Sequence, residues 1–258
     1  MKIAEIKSRL RGDVGREIFF YDTVGSTNAV ASEIAAKTVE GAVVLADTQS
    51  KGKGRLGRVW VSPPGVNIYM SIILRPDIRP RYATLITIMS SVACATALRK
   101  VTGLNVTIKW PNDLIIQKKK LCGILTELKT ERNKIIFAVA GIGINVNADI
   151  DEFSEDVKSI ATSLKNETGI VYSRTEIVAE TLNEIDRWYK TLKVMDRDTL
   201  LSEWKRLSST LGREVMVVTG QGTLTGLALD LDSEGMLMIK LTSGEVKRIS
   251  SGDVTIVR

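Results

Sequence analysis

The pattern of apolar and polar positions predicts strands and helices packed around a sheet over the first two thirds of the chain. Short β-rich runs predict strands at 17–21, 42–48, 67–74, 105–109 and 134–146. Two further runs, 114–117 and 121–128, predict a hairpin whose turn is Lys118-Lys119-Lys120. Longer patterns predict helices at 29–36, 81–101, 174–192 and 197–207. Residues 1–16 have room for one or two helical turns, and residues 148–172 are acidic and loop-like.

The character of the sequence changes after residue 207. Short β-rich segments predict strands at 214–218, 222–231, 236–241, 246–249 and 254–257. Turns are predicted at Gly220-Gln221-Gly222 and at the Gly-containing segments that follow. Short strands at such close spacing are typical of a small β-barrel. We therefore predict two domains, 1–207 and 208–258.

Composition and charge narrow the class of protein. The chain of 258 residues is 44% apolar with a net charge of +6, which suits anionic ligands but is too weak to indicate nucleic acid. It contains no histidine, which excludes histidine metal sites and histidine bases. Cys94 and Cys122 are far apart in sequence and are expected to be reduced thiols. We see no secretory leader and no long apolar span, so neither secretion nor a membrane is expected.

The most distinctive stretch is the loop Gln49–Trp60, which combines three glycines, four cations and one tryptophan. Glycine lets the backbone approach a ligand closely, and its amides with Lys51, Lys53, Arg55 and Arg58 can form a concave anion site. Trp60 adds a flat face on which a base can stack. The residues alone fit equally well a simpler interpretation, in which the segment is a basic, flexible surface loop or a nucleic-acid patch. No Walker A motif and no dinucleotide fingerprint is present.

Five motifs in order carry a resemblance to a known family. The segment Gly52-x-Gly54-Arg55-x-Gly57-Arg58-x-Trp60 resembles the signature loop of biotin protein ligases. The other motifs are Ser26-Thr27-Asn28, Lys109-Trp110-Pro111-Asn112-Asp113-Leu114, Lys120-Leu121-x-Gly123-Ile124-Leu125-x-Glu127 and Gly141-Ile142-Gly143-Ile144-Asn145-Val146-Asn147. Each motif alone is weak evidence, but together they are specific and span about residues 17–147.

The resemblance implies a fold, a reaction and its partners. The fold is α+β: a mixed β-sheet with helices, like the catalytic domain of class II aminoacyl-tRNA synthetases, followed by a small SH3-like C-terminal β-barrel. The reaction uses ATP and Mg²⁺ to convert biotin to biotinyl-5'-AMP, and then transfers biotin to a lysine of a biotin carboxyl carrier protein. A cytoplasmic homodimer is expected. No room for the N-terminal DNA-binding domain of some relatives precedes residue 17, so no DNA partner and no repressor role are expected.

Site residues follow from the same resemblance, position by position. The catalytic set is Arg55, Arg58, Asp113 and Lys120. The biotin-binding set is Ser26, Thr27, Asn28, Gln49, Gly52, Lys53, Gly54, Arg55, Lys120, Leu125, Gly141 and Gly143. The ATP-binding set is Arg55, Arg58, Trp60, Asn112, Lys120 and Asn145. No side-chain metal ligands are predicted. In this assignment Lys120 contacts the biotin carboxylate, Asp113 orients the acceptor lysine, and Trp60 flanks the adenine. Lys53 departs from the arginine common in the family, which removes bidentate geometry.

Simpler interpretations of these residues remain open at this point. Ser26-Thr27-Asn28 fits a helix cap, and Asn112-Asp113 fits an Asx turn. The lysine triplet fits a solvated turn, and glycines within a strand fit a bulge or a close approach of backbone or ligand. The nearest alternative function is that of a lipoate ligase, a relative with the same adenylation chemistry. The alternative class is a nucleic-acid binding module that uses the basic loop and the small barrel.

Overall fold

The computed structural model describes residues 1–220 and 222–257. Its larger sheet has seven strands: β1 (Ile18–Val24), β2 (Val43–Gln49), β3 (Ile68–Leu74), β4 (Thr107–Lys109), β5 (Asp113–Ile116), β6 (Lys119–Glu131) and β7 (Lys134–Ile144). Their order is β1-β2-β3-β7-β6-β5-β4. β1 and β2 are parallel and the other neighbours are antiparallel, so the predicted mixed sheet is confirmed.

Seven α-helices accompany this sheet in the described part of the chain: α1 (Ile3–Ser8), α2 (Thr27–Ile34), α3 (Thr84–Thr102), α4 (Glu155–Lys158), α5 (Leu164–Thr168), α6 (Arg174–Lys193) and α7 (Arg197–Leu207). α6 begins at a Ser173 side chain that accepts a hydrogen bond from the Glu176 backbone N–H, as its capping sequence predicts. Its apolar stripe includes Ile177, Leu182 and Ile185, which are fully buried. Burial of such a stripe, more than helix propensity, stabilises a helix of this kind.

Helix α3 is apolar on nearly all sides because it packs in the core between the sheet and helices α6 and α7. Contrary to the expectation of no long apolar span, the segment Pro80–Thr102 is long and apolar enough to cross a membrane, yet 67% of its most apolar window is buried inside the protein. Packing in the core accounts for its composition. Cys94 of this helix and Cys122 of β6 are buried free thiols. Burial, with a hydrogen bond that the Cys122 thiol donates to Cys94, raises the pKa of Cys122.

A second, antiparallel sheet contains the C-terminal strands β8 (Glu214–Thr219), β9 (Gly222–Leu231), β10 (Leu237–Leu241), β11 (Val246–Ile249) and β12 (Asp253–Ile256). Their order is β11-β10-β9-β8-β12, which agrees with the predicted SH3-like domain. Gln221 in the predicted Gly220-Gln221-Gly222 turn lies outside the described residues. The boundary at residue 207 stays a prediction.

Two local predictions are wrong, and a third is only partly right. Gln117 and Lys118 form the turn between β5 and β6, so Lys119 and Lys120 lie within a strand. A left-handed backbone at Gln117, with φ of 56°, allows a turn this short. The polar turn expected at Asn112-Asp113 is right for Asn112, whereas Asp113 begins β5. The segment 148–172 is not wholly loop, since it contains the helices α4 and α5 and a 3-10 turn at Ile150–Glu152.

Candidate functional site

A cavity of about 720 Å³ lies between the large sheet, the glycine loop and the C-terminal sheet. Such a volume is typical of small-molecule sites. The structure brings nearly every predicted site residue to its walls: Ser26, Thr27, Asn28, Gln49, Lys53, Gly54, Arg55, Arg58, Trp60, Asn112, Asp113, Lys120, Leu125, Gly141, Gly143 and Asn145. The exception is Gly52, which is not part of the lining.

Gly52 shapes the loop instead. A Cβ atom at this position would lie 2.4 Å from the carbonyl oxygen of Trp60, so only glycine lets the two arms of the loop meet. Those arms are joined by hydrogen bonds from the Trp60 amide to the Gly52 carbonyl at 3.0 Å and from the Gly54 amide to the Arg58 carbonyl at 2.7 Å. Lys53 pairs with Val59 in an isolated bridge. The loop is therefore a narrow hairpin that covers the cavity.

The indole of Trp60 rests on a bare patch of the sheet. Gly123 of β6 and Gly143 of β7 are directly paired across the two strands. A Cβ atom would lie 2.9 Å from the indole at Gly123 and 2.6 Å from it at Gly143. The Lys120 ammonium lies 5.4 Å from the centre of the same ring, within the range of a cation–π contact. Close approach of a side chain, rather than a bulge, explains these strand glycines.

Two cations occupy the centre of the cavity wall. The Lys120 ammonium is 2.7 Å from the Asp113 carboxylate, and both side chains are largely shielded from solvent. Arg55 donates to the Asn112 side-chain oxygen at 2.9 Å. The amide of Asn112 in turn donates to the Ile124 carbonyl at 2.8 Å. Burial lowers the pKa of Arg55, although nearby Asp253 and Asp113 oppose that shift. The arginine remains charged because its ordinary pKa is so high.

The C-terminal sheet closes the outer side of the loop. Arg55 donates to the Gly252 carbonyl at 3.3 Å, and Arg58 forms an ion pair with Asp253. Gly252 lies 197 residues after Arg55 in the chain, and Asp253 lies 195 residues after Arg58. No motif marks residues 252–253, so these contacts were not predicted from the sequence.

The opposite end of the cavity is a buried polar network at the start of α2. Ser26, Thr27 and Asn28 are no more than 5% exposed. Ser26 makes no side-chain cap bond, so helix capping does not explain the motif. The Thr27 backbone amide and hydroxyl lie 2.8 and 3.1 Å from the side-chain oxygen of Gln49. Gln49 therefore belongs to the same network as Thr27, and the predicted contact of both residues with biotin stays a prediction.

Asn28 and Asn145 line the cavity and contact neighbouring parts of the chain. A Cβ atom at Gly141 would lie 2.1 Å from the Asn28 side-chain oxygen, so this glycine makes room for the asparagine. The Asn145 amide donates to the Thr162 carbonyl at 3.1 Å. Its predicted contact with ATP stays a prediction. The network also contains Ser71, a fully buried residue that no motif singled out.

Comparison with known proteins agrees with this arrangement. Residues 22–147 match the Biotin/lipoate A/B protein ligase family, and residues 210–257 match the Biotin protein ligase C terminal domain. The Bifunctional ligase/repressor BirA of Bacillus spizizenii is 35% identical over 97% of this chain and 78% of its own length. The Biotin--[acetyl-CoA-carboxylase] ligase of Paracoccus denitrificans is 29% identical over 85% of this chain and 92% of its own.

A solved structure extends the similarity to the complete fold. The biotin protein ligase from Aquifex aeolicus in complex with biotin and ATP superimposes with a TM-score of 0.79 at 30% identity, over 94% of this chain and 99% of that one. The chain therefore belongs to the biotin protein ligase family and is a ligase that activates biotin and joins it to an acceptor protein.

Proposed function

We propose that biotin binds with its ring against the Thr27 and Gln49 end of the cavity and its carboxylate toward Lys120, and that MgATP binds beside Arg55, Asn112 and Trp60. The observation that carries this proposal is the Lys120–Asp113 ion pair, at 2.7 Å, in the wall of a cavity that the glycine loop covers. The cation offsets negative charge in the first half-reaction, and the carboxylate serves as the base in the second.

In the first half-reaction an oxygen of the biotin carboxylate attacks the α-phosphorus of ATP. The new phosphorus–oxygen bond forms biotinyl-5'-AMP as the bond to pyrophosphate breaks. Two anions must approach one another, so fixed cations lower the barrier by offsetting their repulsion. Lys120 and Arg55 take this role because both side chains line the cavity. Arg58 and Lys53 add positive charge from the covering loop.

In the second half-reaction the amine of an acceptor lysine attacks the carbonyl carbon of the mixed anhydride. AMP leaves and the amide bond forms. A lysine is normally protonated, so a base must remove a proton before the attack. We assign that task to Asp113, since its carboxylate lies at the cavity wall in contact with Lys120.

Magnesium enters as part of the substrate. Mg²⁺ prefers phosphate oxygens and water and is commonly carried to proteins on ATP. Within residues 1–220 and 222–257 no group of three or more His, Cys, Asp or Glu side chains forms a separate metal site. Three cations of the loop, Lys53, Arg55 and Arg58, line the cavity in which the phosphates would carry the ion.

The acceptor that we propose is a biotin carrier domain of a carboxylase, the substrate class named for the Paracoccus relative. We also propose a cytoplasmic homodimer. The free thiols Cys94 and Cys122 suit a reducing compartment. Strand β1 ends the large sheet, whereas β4 at the other end is contacted by Ser208, so β1 is the edge open to pairing.

Replacement of one lysine tests the reaction. We expect Lys120→Ala to reduce the rate of biotin-dependent pyrophosphate release about 100-fold or more, because one charged donor to the transition state is lost. Lys119→Ala is the matched control, since Lys119 precedes it in the same strand, is exposed and does not line the cavity. Equal rates for Lys120→Ala and Lys119→Ala would overturn the proposed role of Lys120.

A further inference from the structure

We propose that Glu127 and Ser71 are positioning residues for the ring of the substrate, because they fix the direction of a hydrogen-bond chain that ends at Thr27. As a result the polar end of the cavity offers acceptors to the ligand and selects a ring that carries N–H donors. The inference rests on the proposed binding of biotin, whose cyclic urea has such donors.

The chain begins at Glu127 on β6. Its carboxylate lies 2.6 Å from the side-chain nitrogen of Asn28, and the Leu125 carbonyl lies 3.2 Å from the same nitrogen. An ionised carboxylate and a backbone carbonyl can only accept hydrogen bonds. Both therefore require the NH₂ group of Asn28, whose two protons are used by these partners. The side-chain oxygen of Asn28 must consequently face the other way.

Ser71 continues the chain from that oxygen. Its hydroxyl is 2.6 Å from the Asn28 side-chain oxygen and 2.8 Å from the Thr27 hydroxyl oxygen. A hydroxyl has one proton, and the amide oxygen can only accept. Ser71 must therefore donate to Asn28, which leaves its own oxygen as an acceptor toward Thr27. Ser71 is 0% exposed, so no bulk solvent offers a substitute partner.

Gln49 restricts Thr27 from the opposite side. The Gln49 side-chain oxygen accepts from the Thr27 backbone amide at 2.8 Å. Its side-chain nitrogen donates to the Ser62 hydroxyl at 3.1 Å, and Ser62 donates to the Trp60 carbonyl at 2.9 Å. The amide of Gln49 is thereby fixed with its oxygen toward Thr27.

The Thr27 hydroxyl is left with no proton for a ligand. Its single proton goes either to Ser71 or to Gln49, at 2.8 or 3.1 Å. Thr27 and Gln49 both line the cavity, and the side-chain oxygen of Thr27 can then only accept a hydrogen bond from a ligand there. A ligand N–H satisfies these acceptors, whereas a ring without N–H groups leaves buried acceptors unpaired, which is costly. A urea ring is accepted and a dithiolane ring is penalised.

The test is calorimetric binding of free biotin and free lipoate to the full chain, with steady-state kinetics alongside. Glu127→Gln keeps the size of the side chain but removes its charge and can donate as well as accept, so only the weaker bond to the Leu125 carbonyl then holds the NH₂ group of Asn28 in place. We expect the Kd and KM for biotin to rise about tenfold, with kcat and the KM for ATP unchanged. Ser71→Ala should give a similar rise, and the double variant should be no worse than either single one because both break the same chain.

The matched control is Glu131→Gln, an exposed carboxylate on the same strand that does not line the cavity. Unfolding midpoints of Glu127→Gln and Glu131→Gln should equal that of the wild type. Wild-type protein that binds no biotin would overturn the proposed function, and this inference with it. Wild-type protein that binds biotin, with a Glu127→Gln variant that binds it equally well, would overturn this inference alone.

Discussion

A single methyl group placed under Trp60 should open the glycine loop. In Gly143→Ala the new Cβ atom would lie 2.6 Å from two atoms of the indole. The backbone at Gly143 is not in the left-handed region, so alanine fits there without strain of the main chain. The three nearest atoms to the new Cβ all belong to the ring that rests on the patch formed by Gly123 and Gly143.

The size of the effect follows from the geometry. Ordinary contacts begin near 3.4 Å, so the ring must withdraw by about 0.8 Å, the difference between 3.4 and 2.6 Å. Overpacking of this kind costs about 1–3 kcal/mol. Because the loop covers the cavity, we expect that cost to appear in ligand binding as a weakening of about 5- to 150-fold, with little change in the free energy of unfolding of the whole chain.

Binding of biotin and of ATP should be measured by calorimetry for Gly143→Ala, together with Gly220→Ala as the control. Gly220 has nothing within 4 Å of its would-be Cβ atom and no left-handed backbone, so its replacement should change neither affinity. A Trp60→Ala variant should bind weakly too, and adding Gly143→Ala to it should cause no further loss. Wild-type affinities for Gly143→Ala would refute the idea that the glycine patch seats the loop.

Two further predictions concern charged groups. Asp186 accepts hydrogen bonds from the Asp13 and Val14 amides and forms an ion pair with Lys190. Burial alone would raise the pKa of Asp186, but these partners outweigh it and lower the pKa below its ordinary 3.8. The resulting stability is present above pH 3.8 and is lost as pH falls through the lower pKa of the folded state. Asp186→Asn should therefore reduce the free energy of unfolding at pH 7 by about 1–3 kcal/mol. In acid titrations followed by circular dichroism, the variant should also lose less stability below pH 3.8 than the wild type does. Asp253→Ala removes the partner of Arg58, an ion pair at the surface, so we expect an unchanged unfolding midpoint and a KM for ATP raised about two- to fivefold; an unchanged KM would mean that the C-terminal sheet does not steady the loop.

The sequence predicted the large elements because their apolar patterns are long and regular. Helix α6 illustrates this, since its capping serine and apolar stripe both mark its position. The β5–β6 turn was misplaced because three lysines look like a solvated tip, whereas the left-handed Gln117 makes a shorter turn and places Lys120 within a strand. Local composition does not reveal which residue of a hairpin adopts the left-handed backbone.

The sequence motifs identified most residues of the cavity wall, but they did not identify the residues that hold those side chains in position. Ser71 lies in a strand whose burial pattern is uniform, so nothing in the sequence marks its hydroxyl as part of a polar network. Gly252 and Asp253 contact the loop across about two hundred residues of chain, a pairing that depends on how the two sheets pack. Gly123 and Gly143 were visible as strand glycines, but only the strand register shows that they form one patch for Trp60.

The central claim is that this cavity adenylates biotin. The most direct measurement is mass spectrometry of the full chain incubated with MgATP and either biotin or lipoate, without an acceptor protein. We expect a biotinyl-5'-AMP product that requires both biotin and ATP, and no corresponding product from lipoate. An adenylate formed from lipoate but not from biotin, or no adenylate from either, would contradict it.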